Sequence, residues 1–154
     1  MGDVPEQIQS VPSWRGKQAR CDCVLVAEDT KTGMKGLSVV WVQLFSPFHS
    51  QRDSVPCALV EWFKKVGQGP DPQIGLWRVR INVVQGQSEI SVLHVDSLLR
   101  RAHFLPIFSG NSFLPHGFNF EDTLDAFPTY YVNKVIDHHA HKILFLISFI
   151  HFYL

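Results

Sequence analysis

Three groups of residues in this 154-residue chain have types and spacings that could do chemistry. The first is basic. Arg78 and Arg80 alternate within one apolar run, so the two-residue period of a strand puts both guanidinium groups on one face. Arg100 and Arg101, with Lys64 and Lys65, enlarge the group. Paired basic strands can track a phosphate backbone while nearby aromatic rings stack on bases. The plainer reading is the solvated face of a half-buried strand. The second group is Asp137-His138-His139-Ala140-His141. On a helix, Asp137 and His141 are four apart and His138 and His141 three apart, which brings each pair to one side. Asp137, His138 and His141 are therefore candidates for a metal site or a proton relay. No glutamate stands between the imidazoles as in H-E-x-x-H, and a polar helix end near the C-terminal dipole is the simpler account. The third group is Cys21, Cys23 and Cys57. Cys21 and Cys23 share a strand face, but no fourth ligand has the spacing of a structural zinc site. Small apolar side chains buried in strands explain them more simply.

Catalytic motifs are missing from the sequence. G-x-S-x-G is absent. The glycine-rich GQGPDPQIG lacks a following Gly-Lys-Ser/Thr, and its prolines supply no N–H donors for a phosphate. The expectation is a protein that is not an enzyme, with no catalytic residue, no cofactor and no bound metal.

Composition narrows the class. Fourteen basic residues balance fourteen acidic ones, so nothing pulls the whole chain toward nucleic acid or an anionic membrane. Zero net charge also favours self-association. An odd count of three cysteines is not a secreted disulfide framework. The first residues, MGDVPEQIQSVPSWRGK, have no apolar h-region, and Glu6 breaks the myristoylation pattern. These features predict an intracellular chain with reduced thiols.

The elements that must hold these groups are mostly strands. The stretch Val55 to Val84 reads as a hairpin: an apolar strand, a turn at GQGPDP, then a strand carrying Trp77. In the second strand Trp77, Val79 and Ile81 alternate with Arg78 and Arg80. Further strands are expected over residues 21 to 27, 37 to 45, 89 to 95 and 100 to 108, with a single helical turn at Asp96-Ser97. DTKTGMKG reads as a turn, and Ser46 to Ser54 as a polar loop containing Pro47. No internal repeat is present. The expected fold is mainly β: a small SH3/BAH-like barrel of five to six strands with a C-terminal α-helix. That helix is read from Leu124, Phe127, Tyr131 and Val135 at three- to four-residue spacing, starting or kinking at Pro128.

Three segments follow. Residues 1–20 read as a flexible leader in which Trp14 docks on the core, residues 21–141 as the β-barrel domain with its helix, and residues 142–154 as an apolar tail. From Ile143 the tail has 12 residues, against about 20 for a helical membrane span. It is expected to be a buried or non-native end more than a membrane anchor, and attachment to a membrane through it is the least favoured role.

RCDCVLVAED, VVWVQLF, PCALVEWF, PDPQIGLWRV, VLHVDSLLRRAHFLPIF and TLDAFPTYYVNKVIDHHAH occur in an order and spacing that carry a resemblance. The chain resembles the C-terminal module of proteins from Plavaka-like and Kyakuja–Dileera–Zisupton-like DNA transposons of mushroom-forming fungi, over about residues 13 to 141. Catalysis in such elements resides in a separate RNase H-like core, so the resemblance implies no catalytic residue here. It implies a fungal, transposon-derived fragment, nuclear in location, that binds a protein, a chromatin peptide or the transposase complex. In that family an acidic residue usually follows DHHAH; here Lys142 stands there, and ILFLISFIHFYL follows. The leading expectation is thus a non-enzymatic interaction module. The alternative is a nucleic-acid-binding module that uses Arg78, Arg80, Arg100 and Arg101.

Overall fold

The computed structural model describes residues 7–11, 20–27, 34, 36–108 and 127–133. Their strands are β1 (Ser10–Val11), β2 (Arg20–Cys21), β3 (Cys23–Ala27), β4 (Leu37–His49), β5 (Ser54–Lys65) and β6 (Trp77–Ile81). After these come β7 (Val83–Val84), β8 (Gln87–Ser88), β9 (Ile90–His94), β10 (Leu98–Arg101), β11 (His103–Pro106) and β12 (Tyr130–Asn133). One turn of 3-10 helix, Val95–Ser97, lies between β9 and β10; the His94 side chain caps it by accepting the Asp96 N–H.

β4 and β5 form the backbone of the molecule. They are rich in Val, Trp, Leu and Phe, which fit a pleated surface. They pair antiparallel from Val39↔Phe63 to His49↔Ser54, with a bulge between Val42 and Leu44. The loop expected over residues 46 to 54 is instead mostly strand; only Ser50 to Asp53 turn, closed by the Ser50 N–H on the Asp53 carbonyl at 2.8 Å. Pro47 is tolerated because it faces Pro56. Antiparallel rows alternate between bonded and non-bonded pairs, so two prolines opposite each other forfeit no ladder bond.

The main sheet has eight antiparallel strands in the order β10-β3-β4-β5-β6-β12-β11, with β9 branching from β5. It is a sheet and not a clear SH3 or BAH barrel, although its ends are close in the chain. β10 and β11 are separated only by Ala102, whose N–H donates to the Cys23 carbonyl at 2.7 Å. The run Leu98–Pro106 therefore pairs with β3 at one end and β12 at the other.

Both faces of the β3–β4 wall are buried as a result. On one side Cys23, Leu25, Val39, Phe63, Val79, Tyr130 and Val132 form a cluster, edged by Trp41, Trp77 and Phe104. Phe104 stacks on Tyr130 and meets Phe63 edge-on. On the other side Val24, Val26, Val40, Val42, Ala58 and Val60 form a second cluster, edged by Trp62, Leu93 and Leu98. A strand buried on both faces reads as a continuous apolar run, as β3 does.

The C-terminal helix is corrected. Tyr130–Asn133 is strand β12, paired with β6 and β11. Tyr130 and Val132 are buried while Tyr131 and Asn133 are half-buried, so the local period is two. Pro128 just upstream disfavours helix, and aromatic and β-branched residues favour strand. The rest of the expected helix, with Asp137, His138 and His141, lies outside the described residues, as do Trp14 and the tail. Within residues 1–20, β1 pairs with β2, Ser10 opposite Cys21. Among the described residues no helix is long and apolar enough to cross a membrane.

Candidate functional site

The sheet forks at Trp62. On the far edge of β5, residues 57 to 61 pair with β9 and residues 63 to 65 pair with β6. Trp62 serves both branches: its N–H donates to the Glu89 carbonyl at 2.9 Å, and its carbonyl accepts the Asn82 N–H at 2.7 Å. The Glu89 N–H closes the fork on the Asn82 carbonyl at 2.8 Å, and the Asn82 side-chain amide donates to the Glu89 carboxylate. The indole Nε1–H donates to Ser91 Oγ at 2.8 Å, which fixes the ring. Between the branches the β7–β8 hairpin projects, turning at Gln85 and Gly86 with φ of 52° and 79°. Positive φ at both turn residues suits a two-residue hairpin.

A cavity of about 320 Å³ opens beside this fork. Its floor is apolar, from Met34, Leu37, Val39 and Val79; its rim is polar, from Ser38, Lys64, Lys65, Asn82, Glu89 and Ser91. Trp62 and Phe63 stand between them. The lining is thus mixed, with apolar side chains at the floor and fixed polar groups above them, a combination that can serve recognition.

The basic group divides around it. Arg78 and Arg80 do share the outward face of β6, with Val79 buried on the other side. Arg80 is exposed and sits directly across from Lys64. Two like charges opposite each other destabilise a sheet unless something neutralises them. Arg78 is half-buried and belongs to a different arrangement. It lies across from Tyr131, whose hydroxyl donates to Asp71 Oδ2 at 3.2 Å. Asp71 Oδ1 accepts the Gln73 and Ile74 N–H groups at 3.0 and 3.2 Å, so one carboxylate organises the 71–75 turn. The Gln73 N–H, then the Ile74 N–H, the Tyr131 hydroxyl and the Arg78 charge, hold the Asp71 carboxyl below its ordinary value against the effect of burial. Burial, then the bond to Asp71 and its charge, push the Tyr131 phenol up. The loop GQGPDPQIG is thus a structural turn clipped to β12. Lys65 is placed over the Trp77 ring, 5.0 Å from its centroid.

Arg100 and Arg101 do not join Arg78 and Arg80. They lie on β10, paired with Leu25 and Val24 of β3, whereas β6 pairs with β5 and β12. As consecutive strand residues they also point to opposite faces. The cysteines stay apart as ligands. Burial, reinforced by the charges of Asp22, Cys21 and Glu61, pushes the Cys23 thiol well above its usual range, which makes it inert. All three thiols are free, and no group of three His, Cys, Asp or Glu among the described residues could hold a metal ion.

Sequence reasoning missed Trp62, Asn82, Glu89 and Ser91 as a unit. The one legible signal was the Gln85-Gly86 turn between two alternating runs; that β5 would divide its edge between those runs is a long-range fact. Comparison with protein families, curated proteins and solved structures finds no match to this chain.

Proposed function

We propose that the chain is a non-enzymatic interaction module that binds a protein or chromatin partner through the cleft at the Trp62 fork. The observation that carries the reading is that cleft: an apolar floor, a fixed indole, and a rim that carries Lys64 as well as Glu89. Such a lining suits an extended peptide with an apolar side chain flanked by acidic groups. A nuclear location and a transposon-derived origin belong to the same proposal and rest on the family resemblance. An SH3-like reading of the fold has one support. The order β10-β3-β4-β5-β9, with a 3-10 turn before β10, follows the connectivity of SH3-like barrels. The test is recovery of partners from nuclear extract on the immobilised chain. Chromatin or transposase components should be retained and then lost with Lys64→Glu and Ser91→Trp, which reverse the rim charge and fill the cavity. Recovery of none, or recovery that both variants leave intact, sinks the proposal.

A second reading has its own observation. Lys64 opposite Arg80 is a charge pair that a phosphate would neutralise. Nucleic-acid binding predicts affinity that falls with salt and a shallower salt slope in Arg80→Ala. Affinity indifferent to both removes it.

A further inference from the structure

The half of the β4–β5 hairpin remote from the cleft carries an apolar face. Cross-strand register sets Phe48 beside Val55, Leu44 beside Leu59 and Val92, and Glu61 beside Ile90. Leu44, Phe48, Ile90 and Val92 are each more than half exposed. Three adjacent strands thus present Leu44, Leu59, Val92 and Ile90, and beyond the Ser46–Cys57–His94 row the hairpin adds Phe48 and Val55, a feature that marks an interaction surface.

We propose that this face joins two copies of the chain, sheet against sheet, about a two-fold axis that crosses the strands above the Leu59 row. This surface shares no residue with the lining of the cleft at Trp62, and the proposal does not depend on the cleft. Charge identifies the occupant and the axis. Glu61 stands one row to one side of Leu59, and His94, paired with Cys57, one row to the other. An axis along the strands would set Glu61 over Glu61. An axis across them sets the His94 of each copy over Ile90 of the other, beside Glu61 in the same row. His94 Nδ1 accepts the Asp96 N–H at 3.1 Å and lies 3.4 Å from Asp96 Oδ2, so Nε2 is the ring nitrogen left for a second copy. Glu61 accepts from Gln43 Nε2 at 3.1 Å through one oxygen, and its second oxygen remains for the imidazole. With fourteen charges of each sign, copies meet without net repulsion. Two antiparallel sheets packed face to face stand about 10 Å apart, a gap these side chains fill.

Sedimentation velocity of the full chain tests this. The expected result is a concentration-dependent shift from the 17.6 kDa monomer to a dimer across the micromolar range. Leu44→Lys with Val92→Lys should abolish the dimer and leave the circular dichroism and unfolding midpoint of the monomer unchanged. His94→Glu should weaken dimerisation about tenfold, and adding Glu61→His should restore it. In a Cys21→Ser background, Ile90→Cys should be linked by a short bis-maleimide to Cys57 of the second copy, while Cys57 alone gives no linked dimer. A chain that stays monomeric at every concentration overturns the proposal, as it would if residues 143–154 or a foreign peptide covered the face. A dimer indifferent to the lysine pair, or one linked through Cys57 alone, overturns it as well.

Discussion

The two halves of the β4–β5 hairpin are built from the same kinds of residue and have opposite fates. Around Val39, Val40, Val60 and Phe63 the hairpin is a wall between two cores, apolar on both sides. Past the bulge at Gln43, one face still packs on the second cluster through Ala58 and Phe45, but the other, with Leu44 and Phe48, meets solvent. The bulge marks where burial on that face ends: Val39, before it, is 1% exposed and Leu44, after it, is 52% exposed. A near-continuous apolar run therefore does not say whether both of its faces are core. What decides is which strands the far edge of the hairpin recruits.

The largest expected effect comes from crossing that boundary. Val39→Ala should destabilise the monomer by about 2 kcal/mol, because a buried methyl pair is lost from a packed cluster. Leu44→Ala, on the same face past the bulge, should change it by no more than about 0.5 kcal/mol. Urea unfolding at low protein concentration measures both, and equal losses would show that the two halves are not distinct.

Next is the fork that separates the halves. Trp62→Phe and Ser91→Ala each break the indole bond to Ser91 Oγ. In a double-mutant cycle the coupling should be about 1 kcal/mol, the net worth of a partly buried hydrogen bond. A coupling near zero would mean the ring is held by packing alone.

How much of this division was legible depends on range. The alternation of Trp77, Val79 and Ile81 with Arg78 and Arg80 predicts β6 and its buried face, since a strand's period is local. Asp96-Ser97 announces the 3-10 turn, though the cap is the neighbouring His94. Pro47 and Pro56 hide the length of the hairpin. Each alone argues against a strand, and only their pairing makes both harmless. Tyr130–Asn133 misleads in the opposite way: Phe127, Tyr131 and Val135 happen to match a helical period, while contact with β6 and β11 imposes a period of two. The site was legible only as the Arg78–Arg80 face. The cleft was not, because Ser38, Trp62, Asn82, Glu89 and Ser91 come from four separate stretches of chain, joined by the split edge of β5.

A smaller effect should appear with pH. The folded-state value of Asp71 is lowered, so its contribution is present above the ordinary carboxylate range and is lost as pH falls through the lowered value. The folded-state value of Tyr131 is raised, so its contribution is present below the ordinary phenol range and is lost as pH rises through the raised value. Thermal midpoints followed into acid should therefore fall less in Asp71→Asn than in the wild type, and Tyr131→Phe should flatten the alkaline limb. Both groups lie near the surface, so solvent screens the effect. Unchanged slopes in both variants would mean that the 71–75 turn is held by backbone bonds alone, such as the Gly75 N–H to the Asp71 carbonyl at 2.7 Å.

The smallest effect is also the one that bears most directly on function. Lys64 and Arg80 occupy directly opposite positions on β5 and β6, and Lys64 lines the cavity. A sheet selected only for stability would set opposite charges there. Lys64→Glu creates that pairing and should raise stability by about 0.2–1 kcal/mol while weakening any acidic or phosphate-bearing ligand. The two measurements must move in opposite directions. A more stable sheet that binds less would show that the like-charge pair is kept for a ligand. A sheet whose stability does not rise would mean that the two side chains already avoid each other in solvent, leaving the cleft's claim to rest on Trp62 and its apolar floor.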